Sequence, residues 1–149
     1  MTHPRVAVIG KSNHLHWDRH VGNAFGRLGC EVRHHPYNRY PLDILARRVL
    51  AQACMGKRLM RQRAAAWSAR RWAREMASFR PDLVFMTNAF FVPIEYYQMA
   101  RQLSPTPKVF AWDGDGDACE ITRPYYRHLD VFFESGSDYQ RKNPKDATG

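Results

Sequence analysis

Four short, largely apolar runs, at residues 5–9, 82–87, 108–112 and 130–134, and a strand-like run at 30–35 followed by Pro36, are separated by stretches with helical character. Runs this short and this continuously apolar are buried on both faces, as the strands of a parallel sheet are. Five strand–helix alternations select a three-layer α/β sandwich of Rossmann or flavodoxin type, with about five parallel strands and right-handed crossovers. The 149 residues suit one such domain, over 1–142, followed by a polar tail at 143–149. No apolar run approaches the ~18 residues of a membrane span, and the first is too short for a signal peptide. Cys30, Cys54 and Cys119 are odd in number and lack C-x-x-C spacing. They fit free thiols in a reducing compartment, so the expected location is cytoplasmic.

The connecting stretches carry start and stop signals. Asp18 is placed to cap a helix running to about Leu28, with Val21, Phe25 and Leu28 on one face and Gly29 as the stop. That leaves 10–17 as a loop. Pro93 suits the first turn of a helix reaching about Leu103. A short helix is expected around 120–128, and another beginning at 137–142.

The spacer between the second and third strands is unlike the others. Residues 44–80 contain Arg47, Arg48, Lys57, Arg58, Arg61, Arg63, Arg70, Arg71, Arg74 and Arg80 against one acid, Glu75. The rest of the chain, 13 basic and 13 acidic, is balanced, so the whole formal charge of +9 resides here. No Pro lies between Pro41 and Pro81, and good helix formers predominate. The expectation is one long helix, or two broken near Gly56. Its apolar stripes are Leu42, Leu45 and Val49 at one end and Trp72, Met76 and Phe79 at the other. A solvated face explains such charge, and so does a surface for an anionic partner. Among partners an anionic membrane surface is preferred, with the protein peripheral on the inner face. Trp67 and Trp72 could sit at such an interface, although Trp72 also fits the core stripe. Nucleic acid has only the charge in its favour, because RNP aromatics, zinc spacing and a GXXG loop are all lacking.

Ligands of parallel α/β sheets bind outside the carboxyl ends of the strands. Three polar loops emerge there, at 10–17, 88–91 and 113–117. The first offers Lys11, Ser12 and Asn13 for a phosphate or hydroxyl, and His14, His16 and Asp18 as candidate bases. It matches neither the dinucleotide fingerprint nor a Walker loop. Asn88, Asp113 and Asp115 would line the same cleft. Asp113, Asp115 and Asp117 occupy the first positions of a calcium loop, but Ala118 and Pro124 stand where Gly and Glu are needed. His34 and His35 are neighbours in a strand and point to opposite faces, so no metal site is expected.

Several motifs then fall in a familiar order. Val6-Ala-Val-Ile-Gly10 begins the chain, and Leu28-Gly-Cys-Glu-Val32 closes the first helix. Arg80-Pro-Asp-Leu-Val-Phe-Met-Thr87, Lys108-Val-Phe-Ala-Trp-Asp113 and Leu129-Asp-Val-Phe-Phe-Glu-Ser135 follow. The chain resembles the amino-terminal half of a GT-B glycosyltransferase, in particular the spore-maturation (CgeB-like) family, over nearly its whole length. The resemblance implies an acceptor-side Rossmann-like lobe of an enzyme that transfers a sugar from a nucleotide-sugar donor. The acceptor, of unknown type, would meet the first loop, with His14, His16 or Asp18 as base. The donor would belong to a second, carboxyl-terminal lobe absent from these residues, so this chain carries no cofactor and would not turn over alone. The alternative is a stand-alone flavodoxin-like binding or regulatory module that recognises an acidic ligand or membrane through the basic helix.

Overall fold

The computed structural model describes residues 3–11, 15–37, 57–89, 91–113 and 123–134. Side chains at 15–16, 57–61, 123 and 134 are outside that description. The elements are β1 (Arg5–Gly10), α1 (Leu15–Arg27), β2 (Glu31–Pro36), α2 (Lys57–Phe79) and β3 (Leu83–Thr87). They continue with α3 (Ile94–Arg101), β4 (Lys108–Asp113), a 3₁₀ helix (Arg123–His128) and β5 (Val131–Glu134). The five strands form one all-parallel sheet in the order β2-β1-β3-β4-β5. This is the expected Rossmann- or flavodoxin-like architecture. None of the described helices is long and apolar enough to cross a membrane.

Alternation along the strands sorts side chains to two faces. Ala7, Ile9, Val84, Met86, Val109, Ala111 and Phe132 join one buried cluster with Trp72, Met76 and Phe79 of α2 and Tyr96, Tyr97 and Ala100 of α3. The stripe expected from the spacing of Trp72, Met76 and Phe79 is therefore core. On the other face α1 lies over β1 and β2 and reaches β3 through Phe25, whose ring meets Phe85 at 5.7 Å. Farther along, Phe133 stacks on Phe85 and touches the edge of Phe110, yet remains 44% exposed.

Most boundaries follow local chemistry. Gly29 (φ 83°) ends α1, with Cys30 N–H donating to the Phe25 carbonyl, as the left-handed stop requires. Arg80 (φ 50°) ends α2 in the same region, and Pro81 prevents continuation. The described part of α2 begins at Lys57. Expected features at 38–56, 114–122 and 135–149 lie outside the described residues, among them the Leu42–Leu45–Val49 stripe, Cys54, Cys119 and the final helix. Of the cysteines, Cys30 is described and is a free thiol.

Two expectations near the ends of elements are corrected. α1 begins at Leu15, not at Asp18, so Asp18 lies in the first turn and does not cap it. Its carboxylate is drawn across to β3, as set out below. Asp113 is the last residue of β4, paired with Glu134, and not the first residue of a loop. Smaller shifts occur elsewhere: Pro93 is the residue before α3, and the segment ahead of β5 is 3₁₀ from Arg123.

Asp130 locks the far side of the sheet. Its carboxylate accepts the Val109 N–H at 2.8 Å and pairs with Arg101 at 2.9 Å and Lys108 at 3.4 Å. Burial opposes ionisation, but the Val109 bond and the two cations outweigh it and hold the carboxyl below its ordinary value. His128 is also lowered, by burial first and then by Arg127 and Arg101. A depressed folded value contributes stability above the unfolded one and loses it as pH falls through the folded one. Asp130→Asn should thus cost roughly 1–2 kcal/mol at neutral pH. Urea midpoints of variant and parent should converge as pH drops below ~4. A constant gap across that range would remove Asp130 as the cause.

Candidate site at the carboxyl edge of the sheet

At the end of β1, Gly10 sits beneath the first turn of α1. The Asp18 carboxylate occupies the space where a Cβ on residue 10 would project, so only glycine allows this approach. The Thr87 hydroxyl, at the end of β3, donates to Asp18 Oδ1 and also lies 3.2 Å from the Ile9 carbonyl. Thr87 is fully buried and Asp18 nearly so. One polar knot thereby ties β1, α1 and β3 together where the first loop departs.

One strand over, the next residues turn to the opposite face. Asn88 adopts φ 50°, a region that asparagine tolerates better than most residues, and Ala89 N–H donates to the Trp112 carbonyl. Asp113 is buried beside Tyr97. Burial, then Tyr125 and Asp113, push the Tyr97 phenol well above its ordinary value. The neutral hydroxyl donates to the Ala89 carbonyl at 3.0 Å and fixes the turn after β3.

Aromatic rings flank this edge. Trp17 packs on Trp112 with centroids 5.0 Å apart and is 53% exposed. Lys11 Nζ lies 5.2 Å from the centre of the Phe91 ring, itself solvent-accessible. The edge thus presents a cation, exposed ring faces and buried carboxylates within three adjacent strand ends.

The expected site residues divide accordingly. Lys11, Asp18, Asn88 and Asp113 all stand at this edge, but Asp18 and Asp113 lie on opposite faces of the sheet and are not brought together. Ser12, Asn13, His14 and Asp115 lie outside the described residues, and His16 is placed only by its backbone in α1. Thr87 was not anticipated, because a threonine closing an apolar strand carries no motif. Its position level with Gly10 in the β1–β3 register is the signal that finds it. Trp17 and Phe91 are likewise additions, visible only once the loops are placed.

Of the basic residues, Arg47 and Arg48 lie outside the described residues. Lys57, Arg58 and Arg61 are placed by backbone on α2. Arg63, Arg70, Arg71 and Arg74 are exposed along it. Among the described residues no group of three His, Cys, Asp or Glu could hold a metal. His34 and His35 do part to opposite faces: His34 is exposed and His35 buried, 3.5 Å from the Tyr96 hydroxyl and 4.0 Å from Glu75. A depression of about 1000 Å³ near His3, Arg5, Cys30 and Asp82 opens at the amino edge of the sheet. It is the wrong edge for a ligand of this architecture, and the Asp82 carboxylate there is engaged by Arg5 N–H.

No protein-family model matches this chain, and no curated protein does either. The site must be read from its own geometry.

Proposed function

We propose that this chain is the acceptor-side lobe of a GT-B glycosyltransferase-like protein, binding a sugar-bearing acceptor at the carboxyl edge of β1, β3 and β4. One observation carries the reading: the Gly10–Asp18–Thr87 knot, Asn88 and Asp113 all stand at the carboxyl ends of β1, β3 and β4, the edge that also bears the exposed rings of Trp17 and Phe91. Carboxylates and amides suit hydroxyl groups, and ring faces suit the apolar faces of pyranose rings. Asp18, buried and bound by Thr87, fits positioning of the first loop better than proton abstraction, which falls to His14 or His16. The nucleotide-sugar donor belongs to a second lobe, and transfer requires both.

The test is amide chemical-shift mapping of the chain titrated with methyl α-glucoside, methyl α-galactoside and methyl N-acetyl-β-glucosaminide. At least one glycoside should shift Gly10, Lys11, Trp17, Asn88 and Asp113, with millimolar affinity. Shifts confined to the depression near Arg5 and Asp82, or no shifts with any probe, would overturn the reading.

A further inference from the structure

α2 carries two opposed stripes. At 100° per residue, Ala65, Ser68, Ala69, Trp72, Met76 and Phe79 fall on one side of the helix, and all six are buried. Arg63, Trp67, Arg70, Arg71 and Arg74 fall on the opposite side within a sector of about 100°. All four arginines are exposed, and Trp67 is 38% exposed among them. Arg71 lies 5.7 Å from the centre of the Trp67 ring and pairs with Glu75 at 3.5 Å on the border of the sector. Glu75 is the only acid between residues 44 and 80. The other three, Arg63, Arg70 and Arg74, meet no carboxylate among the described residues.

We propose that this stripe is a docking surface for a bilayer bearing anionic lipid headgroups. The inference is independent of the sugar-binding reading, since it rests on α2 alone. The charge complementarity is one-signed over a run of about 16 Å along the axis. The inner face of α2 is packed on the sheet, so the helix presents itself side-on, as a planar surface requires. Trp67 adds what a purely electrostatic patch lacks: an indole among cations, suited to the headgroup level with its neighbours' guanidinium groups on the phosphates. A nucleic acid would use the same charge but gives the side-on geometry no particular role.

The experiment is flotation of the full chain with phosphatidylcholine vesicles, with and without phosphatidylglycerol, at low and high salt. Binding should require phosphatidylglycerol and weaken with salt. Substituting Arg63, Arg70, Arg71 and Arg74 together by Gln should lower the partition constant roughly 600-fold, at about fivefold per arginine. Trp67→Ala should lower it too, with the salt dependence retained. The circular dichroism spectrum and melting temperature control for folding and should barely move, because these side chains are exposed. Equal binding to neutral vesicles, or no binding to either, would overturn the proposal. So would a quadruple variant that floats like the parent, or capture of a duplex RNA probe in preference to charged vesicles.

Discussion

Trp72→Ala should lower the stability of the fold by about 3–5 kcal/mol, the usual cost of deleting a buried indole. Trp72 is fully buried at the centre of the α2–α3 layer, its ring 5.6 Å from Tyr96 and 6.2 Å from His35. The ring packs tightly against Tyr96 and His35, so the cavity left by its removal adds to the lost transfer energy. With a fold stability of about 5–15 kcal/mol, the loss is a large fraction of the whole. In a chain this long the melting temperature should fall by about 10 °C. Trp72→Phe supplies the contrast. The indole Nε1 is buried with no hydrogen-bond partner among the described residues. Phe keeps most of the packing and removes that unsatisfied donor, so its loss should stay below about 2 kcal/mol. Equal destabilisation by Ala and Phe would mean that ring packing is not what holds the layer.

Gly10→Ala should destabilise by about 3 kcal/mol, near the upper end for forced overpacking. The added methyl would collide with the Asp18 carboxylate, which Thr87 prevents from swinging away. Either that bond breaks inside a buried site or the amino end of α1 lifts from the sheet. Asp18→Ala should also cost stability, since it removes a buried hydrogen bond to a carboxylate and leaves the Thr87 hydroxyl with the weaker one to the Ile9 carbonyl. The double variant should nevertheless be more stable than the two losses summed, because removing the carboxylate clears the clash. Urea denaturation of the four proteins measures the coupling. Strict additivity would show that the methyl meets something other than Asp18.

The architecture was legible because its signals are local and redundant. Every strand but β2 is a short apolar run, each described helix between strands has a stripe or a stop residue, and Gly29 and Arg80-Pro81 mark ends by backbone chemistry alone. Spacing already set Trp72, but not Trp67, on an apolar stripe with Met76 and Phe79, and the phase of α2 against the sheet makes the first core and leaves the second on the surface. The site was legible in part. That ligands gather at the carboxyl edge follows from parallel topology, and this placed Asp18, Asn88 and Asp113 near it. What each carboxylate does there depends on contacts far apart in sequence. Asp18 looked like a helix cap because aspartate commonly is one, yet its partner is 69 residues away, at a threonine no motif advertises. Asp113 looked like a loop residue because Gly114 follows it, whereas pairing with β5 carries the strand one residue farther.

The strand order has a consequence for synthesis. β1 is an interior strand, bonded on one side to β2 and on the other to β3, with Val6 opposite both Val32 and Leu83. The β1–α1–β2 unit can form as soon as it leaves the ribosome, but the second edge of β1 has no partner until residue 87 is made. At bacterial and eukaryotic elongation rates that interval is roughly 3–10 s. During it a very apolar strand presents an open row of amides and carbonyls, a template for other nascent chains. The charge-rich segment that must be translated in the meantime follows directly on that exposed unit. Its like-charged copies on neighbouring ribosomes repel one another while the sheet waits for β3.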